Sequence, residues 1–223
     1  MPVRKRPARR AREPLSRERI VEAALALVER DGLESFSARK LGSELGCEAM
    51  SIYHFFPSKQ HLVDALVERA IDSVEFPDPA LPPLERLRRV AHAYRAMAQR
   101  YARLFPLVAV HRLNTPSGVR FIERLLAIVR AATGDDELAA RYFRAVGYFL
   151  MGTGLDETAG YAKGPSAAEP VSDEFIAREC PHLARSARFF QRKEWDRTFE
   201  LGLEALLDAV GRAAKAHGRS AKA

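Results

Sequence analysis

Two short stretches of apolar residues at helical spacing, separated by Gly46, constrain the fold of this chain more than any other feature of its sequence. Leu41 and Leu45 lie four residues apart before the glycine, and Ile52 and Phe56 lie four apart after it, so each pair falls on one face of a helix. Glycine tolerates the left-handed conformation in which many helices end. The sequence therefore predicts two short helices joined by a tight turn, which is a helix-turn-helix.

Flanking signals extend this motif into a small helical domain. Ser16 can cap a first helix, Gly32 can end it, and Ser37 opens the helix that contains Leu41 and Leu45. The second stretch of the motif covers residues 49–56, and the proline that follows breaks it. Ser58 can then cap a further helix that runs toward Asp72.

A proline-rich stretch at residues 76–83 separates this domain from the rest of the chain. Proline fixes φ and removes a hydrogen-bond donor, so four prolines in eight residues cannot be helical and indicate a linker. No run of alternating β-branched residues predicts a strand, and the predicted fold class is all-α. Amphipathic patterns beyond the linker predict helices at 84–104, 117–132, 135–161 and 186–215, with a short one near 106–113. Residues 163–170 are predicted to form a surface loop.

Basic residues are concentrated at the two ends of the chain. The formal net charge is +7, and the first twelve residues hold six Arg or Lys and no acidic residue. Arg212, Lys215, Arg219 and Lys222 add cations at the other end. A basic tail can contact nucleic acid, but it also fits a solvated arm that keeps the protein in solution. Charge alone therefore does not decide the function.

Cysteine use and hydropathy favour a protein of the cytoplasm. Cys47 and Cys180 lie far apart, with neither C-x-x-C spacing nor the density of a disulfide scaffold. Glu22 interrupts the first apolar segment, so it does not resemble a signal peptide, and no stretch approaches the ~20 apolar residues of a membrane span. We expect no disulfide and no membrane association.

The N-terminal pattern carries the signature of a known family. The segments concerned are Ile20 to Leu25, Ser37 to Gly42, Leu45 to Cys47 and Ile52 to Lys59. With them, the stretch from Arg17 to Asp72 resembles the N-terminal domain of the TetR family of transcriptional repressors. The tyrosine, aromatic and lysine residues of the last segment are the most specific part. The resemblance implies a homodimer that binds a palindromic operator in double-stranded DNA and is released by a small-molecule effector.

The resemblance and the geometry of DNA grooves together indicate which residues contact DNA. The N-terminal residues of the second helix of a helix-turn-helix reach base edges, and donors around its rim bind phosphate. The negative charge of Glu48 can instead stabilise the positive N-terminal end of its helix without any contact to DNA. His54 can likewise be an exposed surface residue with no role in binding. The basic arm can also reach the minor groove. The predicted DNA-binding residues are Ser37, Ala38, Arg39, Glu48, Ala49, Met50, Ser51, Tyr53, His54 and Lys59.

The C-terminal half resembles the tetracycline-repressor type of body. The likeness lies in Ala145 to Asp156, in the Gly- and Pro-rich loop that follows, and in Phe199 to Leu207. It implies an effector pocket and, since operator symmetry mirrors protein symmetry, a four-helix dimer interface built from the last two long helices of each subunit. Aromatic and Met residues at helical spacing also fit ordinary core packing. The predicted ligand-binding residues are Met97, Tyr101, Phe105, His111, Leu125, Phe149 and Asp156.

Tetracycline itself is not the effector that this sequence predicts. By resemblance, His111 and Asp156 align with positions that hold a metal-chelated drug in tetracycline repressors. Val74, Ala93 and Met97 stand where the accompanying polar groups are expected, and none of them can hydrogen-bond or ligate well. A lone histidine also fits a buried, hydrogen-bonded role, and the other histidines show no metal-ligand spacing. No metal or other cofactor is expected.

These inferences divide the chain into four parts. Residues 1–15 form a basic disordered arm, and residues 16–75 form a three-helix helix-turn-helix DNA-binding domain. Residues 84–215 form a helical-bundle ligand-binding and dimerisation domain, and residues 216–223 form a disordered tail. An enzyme is not expected, since the sequence has no P-loop, dinucleotide fingerprint, H-E-x-x-H pair or nucleophile elbow. Cys47 leaves a redox-sensing regulator open. Activation in place of repression also stays open, and neither the operator nor the effector follows from the sequence.

Overall fold

The computed structural model describes residues 14–159 and 167–220, and every regular element within these ranges is helical. The predicted all-α class is confirmed. None of the helices in these ranges combines the length and the apolar character needed to cross a membrane. The α-helices are α1 (Arg17–Asp31), α2 (Ala38–Leu45), α3 (Ala49–Tyr53), α4 (Lys59–Asp72), α5 (Pro83–Arg100), α6 (Phe105–Val110), α7 (Pro116–Thr133), α8 (Asp136–Ala159), α9 (Asp173–Glu179), α10 (Pro181–Ser186) and α11 (Trp195–Ser220), with short 3-10 helices at Ala187–Phe189 and Arg192–Glu194.

The chain divides into two compact units between Leu66 and Val67, inside α4. The sequence places the boundary later, at the proline-rich stretch. That stretch belongs to the second unit because it is anchored there: the ring of Phe76 packs edge-on against Phe121, with 5.6 Å between centroids. Residues 1–13 of the predicted arm, residues 160–166, which include the start of the predicted loop at 163–170, and residues 221–223 lie outside the described residues.

The first unit is built around side chains that the helical spacing predicts. Ile20, Leu27, Leu41, Ile52 and Phe56 are fully buried. The serine caps predicted for α1 and α2 are present, because each hydroxyl accepts a hydrogen bond from the backbone N–H three residues later. Local capping and core burial therefore agree in this unit, and together they fix the positions of three short helices.

The second unit packs α5, α7, α8 and α11 around one core. Leu87, Ile128 and Leu203 are among its fully buried members. The ring of Phe149 in α8 lies against Gly202 of α11, where a Cβ atom would come within 2.5 Å of the phenylalanine ring. The absence of a side chain at position 202 therefore sets how closely α8 and α11 approach each other.

Several predicted boundaries differ from the structure. The helix predicted over residues 49–56 ends at Tyr53, and the helix predicted from residue 186 begins at Trp195. The sequence reasoning also missed α9 and α10, because these short helices bury no residue and so lack an apolar stripe. The final helix continues through Ser220, so residues 216–220 are not the disordered tail that was expected. The stretch Ala213 to Ala216, which leads into these residues, has high helix propensity.

Candidate DNA interface and ligand cavity

Two glycines shape the turn between α2 and α3. Gly46 adopts the left-handed conformation with φ 65° and ψ 36°, and its N–H caps the end of α2. Gly42 lies inside α2, where a Cβ atom would sit 2.7 Å from the carbonyl oxygen of Cys47. The chain can reverse tightly only because neither position carries a side chain. As a result α3 begins three residues after Gly46.

The first turn of α3 is directed outward. Ile52 is buried and anchors the helix, whereas Met50 is 66% exposed. Glu48 is also exposed and its side chain makes no capping hydrogen bond, and Ser51 is half-buried. Ala49 is half-buried as well, so all four predicted base-contacting residues lie at the surface of the first unit.

The predicted phosphate-binding residues lie on the same unit and outside its core. Ser37 accepts a hydrogen bond from Lys40 N at 3.3 Å, so its hydroxyl hydrogen is available to a second partner. The side chain of Ala38, the first residue of α2, is half-buried. The other four predicted residues are exposed and are Arg39, Tyr53, His54 and Lys59.

Arg17 holds the end of the α3 segment, a role that sequence reasoning missed. Its Nη1 donates a hydrogen bond to the Phe55 carbonyl oxygen at 2.9 Å. Its guanidinium also lies over the ring of Phe56, 4.2 Å from the centroid. These contacts join the start of α1 to the residues just after α3. No local sequence signal predicts them, because the partners lie 38 residues apart.

The second unit contains a cavity of about 420 Å³. Residues from α5, the end of α6, the loop after it, α7 and α8 form its wall. Most of the wall is apolar or aromatic. The lining residues are Leu87, Val90, Tyr94, Ala109, Val110, His111, Arg112, Leu113, Phe121, Ile122, Leu125, Val129, Phe143, Arg144, Val146, Gly147, Tyr148, Leu150 and Met151.

The structure does not bring the seven predicted ligand-binding residues together. His111 and Leu125 line the 420 Å³ cavity. Met97, Tyr101 and Phe105 are buried in the core of the second unit and do not line it. Phe149 and Asp156 line a separate depression of about 230 Å³.

Tyr94 is one of the polar residues of the cavity wall that sequence reasoning missed. Its ring packs edge-on against Phe105, with 5.9 Å between centroids, and lies 6.5 Å from that of Phe121. Burial raises the pKa of Tyr94 to about 12. Within the described residues its hydroxyl has no hydrogen-bond partner, so this group can donate to a molecule in the cavity.

Comparison with known proteins identifies both halves of the chain. Residues 20–66 match the model of bacterial regulatory proteins of the tetR family. Residues 78–213 match the model of the tetracyclin repressor-like C-terminal domain. The chain belongs to the TetR family. The match to the N-terminal model spans the helix-turn-helix described above, and the match to the C-terminal model spans the cavity.

Named TetR-family relatives are regulators. The HTH-type transcriptional repressor DrrR1 of Streptomyces coeruleorubidus is 29% identical over 66% of this chain and 55% of its own length, so the chain spans little more than half of that relative. An HTH-type transcriptional repressor of Mycobacterium tuberculosis is 28% identical over 92% of this chain and 83% of its own length. The crystal structure of ActR from Streptomyces coelicolor in complex with actinorhodin matches with a TM-score of 0.73 and 25% identity, over 91% of this chain and 99% of that one.

A buried ion pair in this TetR-family body was also missed. Arg95 of α5 donates from Nη2 to Glu157 Oε1 of α8 at 2.7 Å, and Gln99 donates to the other carboxylate oxygen at 2.8 Å. Arg95 also lies 2.9 Å from Asp196 of α11. Burial alone lowers the pKa of Arg95, but its bonds to Glu157 and then to Asp196 raise it overall. The pair links three helices of the core, and its carboxylate comes from the residue directly after the predicted Asp156.

Proposed function

We propose that this protein is a homodimeric transcriptional repressor that binds a palindromic DNA operator and is released when a small molecule occupies the 420 Å³ cavity. The observation that carries the proposal is the outward face of α3, where Met50 and Glu48 are exposed at the start of a helix held by a glycine turn. A helix presented in this way can enter the major groove.

The side chains of this face suit base reading. Ser51 can donate or accept a hydrogen bond, Met50 can contact a thymine methyl group, and Glu48 can accept from a cytosine amino group. Around them, Arg39, Tyr53, His54 and Lys59 supply the phosphate-binding donors that fix register without reading sequence. This division into reading and positioning residues is what a sequence-specific regulator requires.

Dimerisation is supported by exposed apolar surface on α11 and beside it. Leu201 is 75% exposed and Phe189 is half exposed, and both line one groove of the second unit. Exposed apolar patches of this kind mark association surfaces. A second copy of the chain is the proposed occupant, because a palindromic operator mirrors a two-fold axis in the protein that reads it.

Release by a ligand requires that the ligand bind the two conformations of the protein with different affinity. A route for this coupling exists in the second unit. Ser117, at the start of α7, donates a hydrogen bond to Asp72 at the end of α4 at 3.0 Å, and α7 contributes part of the cavity wall. The first half of α4 belongs to the first unit. A ligand that displaces α7 would therefore also displace the end of α4 to which Ser117 is bonded.

Selection of bound sequences from random DNA duplexes with the full-length protein tests the proposal. We expect a palindrome with two half-sites on one face of the duplex. Lys59→Gln should weaken binding to all sequences and reduce the salt slope by about one, whereas Met50→Ala should change the selected bases. Lys193→Gln, at an exposed position of the second unit, is the matched control. Binding without sequence preference at physiological salt would contradict a specific repressor.

A further inference from the structure

We propose that the 420 Å³ cavity takes a flat aromatic molecule of about two to three fused rings that carries an acidic group, an inference that rests on the proposed role of this cavity as the effector site. Three features of the wall support it: its volume, its aromatic content and the sign of its charged residues. Each can be read from the residues that line the cavity.

The volume and the lining set the size and shape of the ligand. An apolar cavity of about 150 Å³ holds one benzene ring, so a cavity of about 420 Å³ has room for two to three rings. Tyr94, Phe121 and Phe143 contribute aromatic rings from three different helices. Aromatic faces and edges pack favourably against another aromatic system.

The charged groups of the wall are all of one sign. Arg112, in the loop after α6, and Arg144, on α8, border the cavity, and none of the residues that line it is acidic. Arg144 donates from Nη2 to the Tyr148 hydroxyl at 2.6 Å. Within the described residues neither arginine forms an ion pair. Two unbalanced guanidinium groups at an apolar cavity favour an anionic ligand, since charge-assisted hydrogen bonds to carboxylate or sulfonate are stronger than neutral ones.

Polar atoms deeper in the wall agree with a ligand that carries oxygen on its rings. The hydroxyl of Tyr94 has no partner within the described residues, so it can donate to a ring carbonyl or hydroxyl oxygen. A ligand oxygen placed beside this hydroxyl would accept its hydrogen bond. The same donor gives nothing to a purely hydrocarbon ligand.

A pair of dyes separates the charge requirement from the aromatic one. 8-Anilinonaphthalene-1-sulfonate and N-phenyl-1-naphthylamine share one aromatic skeleton, and only the first carries an anion. Fluorescence titration of the full-length protein at low salt should give about tenfold tighter binding of the sulfonate. Arg112→Gln combined with Arg144→Gln should weaken sulfonate binding by about tenfold and change binding of the neutral dye less than about twofold. Arg141→Gln, on the exposed face of α8 and outside the cavity, should change neither.

A second variant tests where the dyes bind. Gly147 lines the cavity, and a Cβ atom there meets nothing within 4 Å, so Gly147→Leu adds side-chain volume at the wall without crowding its own Cβ atom. It should weaken both dyes. Equal affinity of the wild type for the two dyes, unchanged sulfonate binding in the double arginine variant, or unchanged binding of both dyes in Gly147→Leu would overturn the proposal. The dyes are titrated without DNA, so a failure of the wild type to select a DNA sequence would overturn the repressor function and leave this test standing.

Discussion

Arg17 shows how one exposed side chain can hold a motif together. Its guanidinium donates to the Phe55 carbonyl and covers the Phe56 ring, and Phe56 itself is fully buried. The hydrogen bond satisfies a carbonyl just after α3, where no helical partner follows. The guanidinium therefore holds the residues that follow α3 against the start of α1.

Replacement of Arg17 tests this role. Arg17→Ala should lower the free energy of unfolding by about 1–2 kcal/mol, because it removes one hydrogen bond and one cation–π contact at an exposed site. Arg17→Lys should recover only part of this loss, since an ammonium group cannot stack as a planar fork does. Urea denaturation measures both variants. Lys40→Ala, at an exposed position of α2, is the control, and an equal loss in that variant would refute a specific role for Arg17.

Tyr94 gives the protein a defined response to alkali. Its pKa lies at about 12 in the folded chain against 10.0 for an exposed tyrosine, so between these values the unfolded chain releases a proton that the folded chain keeps. Stability must therefore fall as the pH rises from about 10 to 12. The loss should reach about 1 kcal/mol near pH 11, because each pKa unit is worth about 1.4 kcal/mol.

Urea denaturation of the wild type and of Tyr94→Phe at pH 8 and pH 11 checks this response. The variant should lose less stability over that interval than the wild type does. The other five tyrosines are common to both proteins, so their ionisation cancels in the comparison. Parallel losses in the two proteins would show that Tyr94 ionises as an exposed residue does.

Helix caps are the elements that the sequence predicts best. Ser16, Ser37 and Gly46 were each assigned to a helix end from residue type and position, and each makes the expected backbone contact. The cavity was not predictable in the same way. Its wall joins α5, α7 and α8, whose relative placement depends on packing between distant segments, and helical spacing alone cannot separate a core residue such as Phe105 from a wall residue such as Tyr94.

Two caps distinguish helix stability from DNA contact. Ser37→Ala removes the cap of α2, and Thr115→Ala removes the equivalent cap of α7, where the hydroxyl accepts from Gly118 N at 3.2 Å. Each variant should lose about 1 kcal/mol of stability. Only Ser37→Ala should also weaken operator binding, because its hydroxyl is a predicted phosphate contact. Fluorescence anisotropy with labelled DNA measures this, and equal DNA affinities of the two variants would remove Ser37 from the interface.

At the scale of the whole molecule, the proposed function depends on association of two chains. Leu201→Glu replaces an exposed apolar side chain of the α11 groove by a carboxylate, which cannot be buried against a second copy without a large desolvation cost. We expect light scattering to show a shift from dimer to monomer, and operator affinity to fall with it. Ala131→Glu adds the same charge at an exposed position of α7 and serves as the control. A dimer that survives Leu201→Glu would place the interface elsewhere.

The close contact between Phe149 and Gly202 carries a consequence for how this sequence can evolve. A side chain at position 202 would come within 2.5 Å of the phenylalanine ring, so a larger residue there requires the ring to move or position 149 to become smaller. The two positions should therefore vary together among related proteins, with a small residue at one whenever an aromatic ring occupies the other. A mutational path that changes position 202 first passes through a destabilised intermediate, which makes the order of the two substitutions a matter of selection as well as chance.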